Sequence, residues 1–171
     1  MKRLLKILLI ILAAFVVLII VGLVRLHFAT LHIVFDGSSM EPTIHNNQSL
    51  LVESYKSNEL PKRGDVVEYA STNKMVKQYS KSVLLLHRII ALPGERITVN
   101  NDKVLVYNAQ QPNGFNPDTA YLSSNVVTSG NVDLTLSQNM YFIMGDNRPN
   151  ALDSRAIGPV GLKDIIGKVK P

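Results

Sequence analysis

The fold class is decided by the stretch VLLLHRIIALPGERITVNNDKVLVYN, residues 83–108. Its first run, 83–91, is apolar and rich in branched side chains, and it stops at a Pro-Gly turn. The second half, 96–108, alternates apolar and polar residues on both sides of an Asn-Asn-Asp turn (100–102), which predicts a hairpin. A single imidazole, His87, interrupts the apolar run. The stretch therefore predicts a buried strand followed by a two-stranded hairpin.

Short Val-, Ile- and Leu-rich runs between turn residues recur along the rest of the chain. Spacings of about 8–12 residues without amphipathic helices between them predict a mainly β fold, an antiparallel sandwich or barrel. The polar segment 109–131 is typical of a long loop or small lobe inserted between core strands. The pattern of 160–169 leaves helix and strand open. Further strands are predicted at 31–35, 49–54, 65–70 and 140–146.

The N-terminus carries a long apolar run. The eighteen residues 7–24 contain no charge, and as a helix they would span roughly 27 Å, close to the thickness of a bilayer core. The alternative, a cleavable secretory signal, usually has an apolar core of about 7–15 residues and an A-x-A site, which does not follow here. We therefore predict a single retained transmembrane anchor in the lipid bilayer.

The charges that flank this run predict its orientation. Three cations precede it, and a single arginine follows it directly. The positive-inside rule then places residues 1–6 in the cytoplasm and the domain 25–171 outside the plasma membrane. The three preceding cations are Lys2, Arg3 and Lys6.

Composition excludes several chemistries. The chain has no cysteine, which excludes disulfides, thiolate metal sites and a cysteine nucleophile. It has no H-E-x-x-H motif and no phosphate-cradling glycine loop, so no metal and no cofactor are predicted. The net charge is +5, and three of the positive charges precede the anchor, so the mild remaining excess does not predict binding to nucleic acid.

The segment DGSSMEPTI (36–44) contains a candidate nucleophile, Ser39. A nucleophilic serine needs a tight exposed turn and backbone N–H groups aimed at the developing oxyanion. Gly37 allows close backbone approach, and Pro42 stiffens the exit from the turn. On composition alone, a serine-rich turn after a strand is the favoured interpretation.

A serine hydroxyl needs a base, and the histidines are the candidates. His87 lies in an apolar strand, where an imidazole is either a hydrogen-bonded core residue or a functional one. His45 follows Ser39 closely but lies in a polar HNNQ turn. His27 and His32 lie where the chain leaves the predicted membrane and are interpreted as interfacial.

A third cluster, YFIMGDNRPNALDSRAIGPV (141–160), places charged residues directly after an apolar strand. This density of charge predicts an ion-pair network that fixes a loop. A solvated turn with surface ion pairs is the competing interpretation.

In this order the anchor, GSSMEPTI, RGDVV (63–67), HRIIALPGE and GDNRPNALDSRAIG resemble the boxes of type I signal peptidases, over nearly the whole chain up to about residue 160. The resemblance implies a largely β catalytic domain on the outer face of the plasma membrane. This domain would cleave signal peptides from exported pre-proteins after small residues at −1 and −3. The short chain and the compact segment 109–131 suggest a Gram-positive bacterial source.

The resemblance also assigns roles to residues. Ser39 falls on the nucleophile, and its backbone amide, helped by groups at Gly37 or Ser38, would form the oxyanion hole. Met40 falls on the next position, near the membrane-facing surface. Pro42, Arg88 and Gly145 belong to the matched boxes as structural residues of the site. The ion-pair and loop-shaping positions fall on Asp146, Arg148, Asp153 and Arg155.

One departure from the family pattern is specific. Bacterial members carry a lysine base where this chain has His87, whereas members from the endoplasmic reticulum and from archaea carry histidine there. Many bacterial members also have a hydroxyl residue at the position of Ala151. Histidine has a reference pKa near 6.5, about right for a base at pH 7, and it needs a partner to fix its tautomer. Asp146 or Asp153 could supply that carboxylate, and we prefer Asp153.

Two functions follow from this departure. In the first, Ser39 and His87 form the dyad of an active signal peptidase. In the second, the fold is kept as a catalytically weak or inactive homologue that acts as a membrane-tethered assembly factor for pili or surface proteins, with pilins as partners. The intact S-M-E-P-T segment favours the first.

Overall fold

The computed structural model describes residues 2–28, 30–71, 73–79, 84–123 and 126–170. The chain divides into two compact units, Met1–Leu31 and His32–Pro171. The first unit consists mainly of helix α1 (Lys2–Phe28). Over Lys2–Val24 this helix is long and apolar enough to cross a membrane, and none of it is buried against protein. The helical structure and the length of the apolar segment agree with the predicted anchor. The orientation of the anchor in the membrane stays a prediction.

The described residues form ten strands in two sheets, and every pair whose register is described is antiparallel. The larger sheet has the order β1-β2-β10-β3-β4-β8-β9, and the smaller has the order β6-β5-β7. The prediction of a mainly antiparallel β fold is thus confirmed. The strands are β1 (Thr30–Val34), β2 (Ser49–Glu53), β3 (Val66–Ala70), β4 (Leu84–Ala91), β5 (Arg96–Asn100), β6 (Lys103–Tyr107), β7 (Val132–Thr135), β8 (Met140–Met144), β9 (Val160–Gly161) and β10 (Ile165–Val169).

The predicted hairpin is present. Asn100 pairs with Lys103, and Asn101 and Asp102 between them have positive φ angles of 47° and 60°. Asn and Asp tolerate this left-handed conformation, which matches the right-handed twist of the flanking strands. The local turn chemistry was therefore sufficient to predict this element.

Strands β7, β9 and β10 were not predicted. β10 comes from the ambiguous segment 160–169, and it lies between β2 and β3. Gly167 allows this placement, because a Cβ there would come within 2.6 Å of the Glu53 carbonyl oxygen. The position of the strand is thus fixed by its neighbours in the sheet and not by its own periodicity.

Three short 3-10 helices and two short α-helices connect the strands. Their bounds are Pro117–Ala120, Arg148–Asn150 and Leu162–Asp164 for the 3-10 helices, and Lys74–Tyr79 (α2) and Ser154–Ile157 (α3) for the α-helices. The segment 109–131, predicted as a loop or lobe, contains the first 3-10 helix and a bridge from Phe115 to Val106. It also contributes a buried side chain, Thr128.

The main core lies between the two sheets. Successive side chains of β4 and β8 point to opposite faces of the sheet, so each strand contributes to apolar clusters on both faces. The first cluster joins the sheets and contains Ile90, Ala91, Ile97, Val99, Val104, Val106, Leu136, Phe142 and Met144. The second lies on the other face and contains Val67, Tyr69, Ile89, Tyr141, Ile143 and Val160. A third, formed by Phe35, Met40, Ile44, Leu50 and Leu86, packs the turn after β1 onto the sheet.

Candidate active site

His87 lies in the middle of β4, between β3 and β8, and is only 2% exposed. It pairs with Val67 in register, and Leu85 pairs with Tyr69. His87 and Tyr69 are therefore diagonal neighbours on one face of the sheet. The Tyr69 hydroxyl lies 2.9 Å from His87 Nδ1.

Burial sets the protonation state of this histidine. The pKa of His87 is lowered from 6.5 to about 4, mainly by desolvation and also by the charge of Arg155, while the charges of Asp153 and Asp146 oppose this shift. The ring is therefore neutral at pH 7 and has a lone pair for a proton. The reference value near 6.5, used in the sequence argument, does not apply in this environment.

The turn that carries Ser39 is tied to the loop after β8. Asn147 donates from its backbone N–H to the Ser39 carbonyl at 3.0 Å and from Nδ2 to the Ser38 carbonyl at 2.9 Å. Met40, the next residue, is fully buried in the third apolar cluster and not at the surface that the resemblance implies. Ser39 itself is partly exposed, and its hydroxyl forms no hydrogen bond to any residue that the structure describes.

Gly145 lies close to both the serine turn and the histidine. A Cβ at this position would come within 2.5 Å of the Ser39 carbonyl oxygen, within 3.4 Å of His87 Cδ2, and closest of all to Ala151 Cβ. Cδ2 is the ring atom bonded to Nε2, so the Nε2 edge of the imidazole faces this glycine. The structure thus brings Ser39, His87, Gly145 and Ala151 together.

We predict that Gly145→Ala lowers both stability and activity. The new methyl group would collide with a backbone oxygen that cannot rotate away, so we expect a cost of about 1–3 kcal/mol in the free energy of unfolding. We also expect at least about a tenfold loss of peptide cleavage, because the serine and the histidine would be pushed apart. Denaturant unfolding and a cleavage assay would measure the two effects.

Gly161→Ala is the matched control. The nearest neighbour of its Cβ would be the end of the Asp164 side chain, at 3.1 Å, which can rotate away, and the next two neighbours are side-chain atoms at ordinary contact distances of 3.7 and 3.8 Å. Equal losses of stability and cleavage in the two variants would contradict the prediction that the site needs a glycine at position 145.

The pair formed by Arg88 and Asp146 joins β4 to the loop after β8. Arg88 Nε and Nη2 donate to the two carboxylate oxygens at 2.9 and 2.6 Å. Thr43 donates to the same carboxylate at 2.6 Å. Because Thr43 follows Ser39 closely in the chain, this bidentate pair holds the serine turn against the end of β8.

Asp153 fixes Gly145 from the other side. One carboxylate oxygen accepts the Gly145 N–H at 3.0 Å, and the other accepts the Arg155 N–H at 3.1 Å and so caps α3. The Arg155 guanidinium donates to both oxygens at 2.8 Å. The carboxylate is fully buried, so this pairing compensates its desolvation. Asp153 therefore controls the backbone that separates Ser39 from His87.

The third ion pair connects the site to the segment 109–131. Arg148 is almost fully buried and forms a bidentate pair with Asp118 of that segment. It also donates to the Thr128 hydroxyl at 2.8 Å and to the Gly145 carbonyl at 3.1 Å. The predicted ion-pair network is present, and Asp118 and Thr128 are members that the sequence analysis did not identify.

The remaining predicted residues lie around the turn. The Gly37 N–H already donates to Asn46 Oδ1 at 3.0 Å, which leaves the Ser39 amide as the better oxyanion donor. Ser38 and Pro42 are exposed. The His45 side chain is 68% exposed and lies 2.5 Å from the Glu41 carboxylate. The side chain of His27 lies outside the described residues.

The histidine has a different neighbour from the predicted one. The carboxylates of Asp146 and Asp153 bind Arg88, Thr43, the Gly145 amide and Arg155, and they act on the ring through charge. The hydrogen-bond partner of Nδ1 is the Tyr69 hydroxyl. The sequence carried a usable signal for it, since the alternation in strand 65–70 places Tyr69 on the same face as Val67 and opposite to Glu68.

A model of the family "Signal peptidase, peptidase S26" matches residues 6–171. The chain belongs to this signal peptidase family. Signal peptidase I P of Bacillus subtilis subsp. natto is 34% identical over 166 residues, which cover 91% of this chain and 82% of that relative. Signal peptidase I S of Bacillus subtilis strain 168 is 31% identical over 169 residues, covering 92% and 84%.

Two further signal peptidases are similar. Signal peptidase IB of Staphylococcus aureus is 30% identical over 187 residues, covering 98% of this chain and 88% of that relative. The crystal structure of a signal peptidase I from Enterococcus faecalis V583 is 23% identical, with a TM-score of 0.47, and the match covers 67% of this chain and 100% of that one.

In this member of the signal peptidase family, the two departures from the bacterial pattern lie side by side. His87 Cδ2 and Ala151 Cβ both face the open position at Gly145. A methyl group at residue 151 cannot donate a hydrogen bond to the imidazole. The hydrogen-bond partner of the His87 ring is therefore another polar group, the Tyr69 hydroxyl.

Proposed function

We propose that this chain is a membrane-bound serine endopeptidase that removes signal peptides from exported pre-proteins, after small residues at −1 and −3. Ser39 is the nucleophile and His87 is the general base. The observation that carries the proposal is the close approach of the two residues at Gly145, since a single Cβ position there lies 2.5 Å from the Ser39 carbonyl oxygen and 3.4 Å from His87 Cδ2. Membership in the signal peptidase family supports the same chemistry.

The reaction proceeds by acyl transfer. Neutral His87 takes the Ser39 proton at Nε2 while Oγ attacks the scissile carbonyl carbon. The Ser39 amide stabilises the oxyanion, since it donates to no acceptor among the described residues. The imidazolium then protonates the leaving amine. Water hydrolyses the acyl-enzyme with His87 again as base, which regenerates Ser39.

The apolar N-terminal helix would anchor the chain in the membrane. With Lys2, Arg3 and Lys6 in the cytoplasm, the β domain lies outside the plasma membrane of, we infer, a Gram-positive bacterium. A pre-protein still held in the bilayer by its signal peptide then presents an extended segment to the site.

We predict an unusually acid-tolerant rate. The pKa of His87 is lowered to about 4, so the base is neutral above that pH and is lost only as the pH falls through it. From about pH 7.5 to about pH 5.5, kcat/KM for a signal-peptide-bearing pre-protein should change by less than about twofold. If the base had a pKa near the reference value of 6.5, kcat/KM would fall about tenfold over the same pH range.

The assay uses the purified full-length chain in lipid or detergent. Circular dichroism at each pH verifies that the protein remains folded. A tenfold fall in kcat/KM over this range, with the fold intact, would mean that a less buried group is the base.

The second candidate is a membrane-tethered assembly factor for pilins or surface proteins. The observation that favours it is the lack of a hydrogen bond between the Ser39 hydroxyl and His87 among the described residues. Such bonds often tighten only when substrate binds, which keeps the peptidase first. Binding of a pilin without cleavage of either a pilin or a general pre-protein would favour the assembly factor.

A further inference from the structure

The hydrogen bond between Tyr69 and His87 assigns a role that the family pattern leaves open. Oη of Tyr69 lies 2.9 Å from Nδ1 of His87, and the ring centroids are 5.8 Å apart at an interplanar angle of 38°. Both side chains are buried. Their register on β3 and β4 fixes this contact, because Tyr69 is opposite Leu85 and His87 is opposite Val67.

The carboxylates nearby are already engaged. Asp153 accepts from the Gly145 amide and from Arg155, and Asp146 accepts from Arg88 and Thr43. Among the residues that the structure describes, the Tyr69 hydroxyl is the only group hydrogen bonded to Nδ1.

The base function requires one tautomer of the neutral ring. Nε2 can take the serine proton only if the ring proton is on Nδ1. In that tautomer Nδ1–H donates to the phenol oxygen. Burial and the charge of Asp153 raise the pKa of Tyr69, so the phenol stays neutral and offers a lone pair without forming an anion.

We propose that Tyr69 is the positioning residue for His87: it accepts the Nδ1 proton and holds the Nε2 edge toward Ser39. This role rests on the proposed function. It corresponds to the orienting carboxylate of a Ser-His-Asp triad, here supplied by a neutral oxygen. A neutral partner stabilises the imidazolium less than a carboxylate would, and the remote charges of Asp146 and Asp153 supply part of the difference.

The test is Tyr69→Phe, which removes the hydroxyl and keeps the ring in the apolar cluster. We expect kcat for pre-protein cleavage to fall by about tenfold to hundredfold, with KM changed by less than about twofold. Tyr141→Phe is the matched control, because Tyr141 is a second buried tyrosine of the same cluster and has no hydrogen bond to His87 among the described residues. A similar loss of kcat in both variants would overturn the proposal.

A second readout does not depend on activity. In the Ser39→Ala chain with ¹⁵N-labelled histidine, the His87 nitrogens are assigned by their disappearance in His87→Gln. We expect Nδ1 to be protonated with Tyr69 present and the Nε2–H form to grow with Tyr69→Phe. An unchanged tautomer would overturn the positioning role. If the tautomer changes with Tyr69→Phe but the chain with Ser39 intact cleaves no pre-protein, the proposed function is contradicted and the positioning role of Tyr69 is not.

Discussion

Ser39→Ala is expected to abolish pre-protein cleavage, with kcat reduced by roughly four to six orders of magnitude. The Ser39 hydroxyl oxygen is the atom that attacks the scissile carbonyl in the proposed reaction. Cleavage would be measured with the full-length chain in lipid vesicles, by the appearance of mature product. The fold should be unaffected, because the Ser39 hydroxyl makes no hydrogen bond to a described residue.

Ser137→Ala is the control for this experiment. Ser137 is exposed in the turn before β8, and the bond described for it uses its backbone carbonyl. The Ser137→Ala variant should cleave the pre-protein like the wild type. Ser39→Ala that retains even one-tenth of the activity would rule out Ser39 as the nucleophile. Loss of cleavage together with unchanged thermal unfolding would assign the effect to chemistry.

His87→Ala is expected to lower kcat by roughly three to six orders of magnitude, because it removes the group that takes the serine proton in the proposed reaction. The substitution also opens a cavity beside Tyr69 in a fully buried site, which costs stability. His87→Gln is therefore measured in parallel: it keeps most of the volume but cannot act as a base. Both variants should be inactive, and the glutamine variant should be the more stable in denaturant unfolding.

His45→Ala provides the comparison for the histidine series. His45 is largely exposed and ion-paired with Glu41, so its removal should leave cleavage unchanged. Retained cleavage in both His87 variants would redirect the search to His45 or to Lys81, which lies outside the described residues.

Much of the fold was predictable because its signals are local. The hairpin at 96–108 follows from two alternating runs around residues that accept positive φ. β7 and β10 were not predictable in the same way. β7 has only four residues, and β10 becomes a strand because β2 and β3 offer edges on both of its sides. Strand propensity in such short segments depends on the neighbours available.

The candidate site, like the fold, was only partly predictable from the sequence. Order and spacing of the boxes, from the serine turn to the D-S-R segment, were sufficient to identify the family and to select Ser39 and His87. Sequence could not select the partner of the imidazole. The sequence analysis preferred the carboxylate of Asp153, whereas the hydroxyl of Tyr69 is the group that reaches Nδ1 of His87.

By itself, the sequence determined the apolar helix, the buried strand around His87, the hairpin and the family boxes, because each depends on residues close together in the chain. Only the tertiary structure decided which distant groups meet. Gly145 reaches both Ser39 and His87, and Arg148 pairs with Asp118. Such contacts depend on strand register and on loop packing, and a shift of one residue in β4 would turn His87 to the opposite face of the sheet, away from Tyr69.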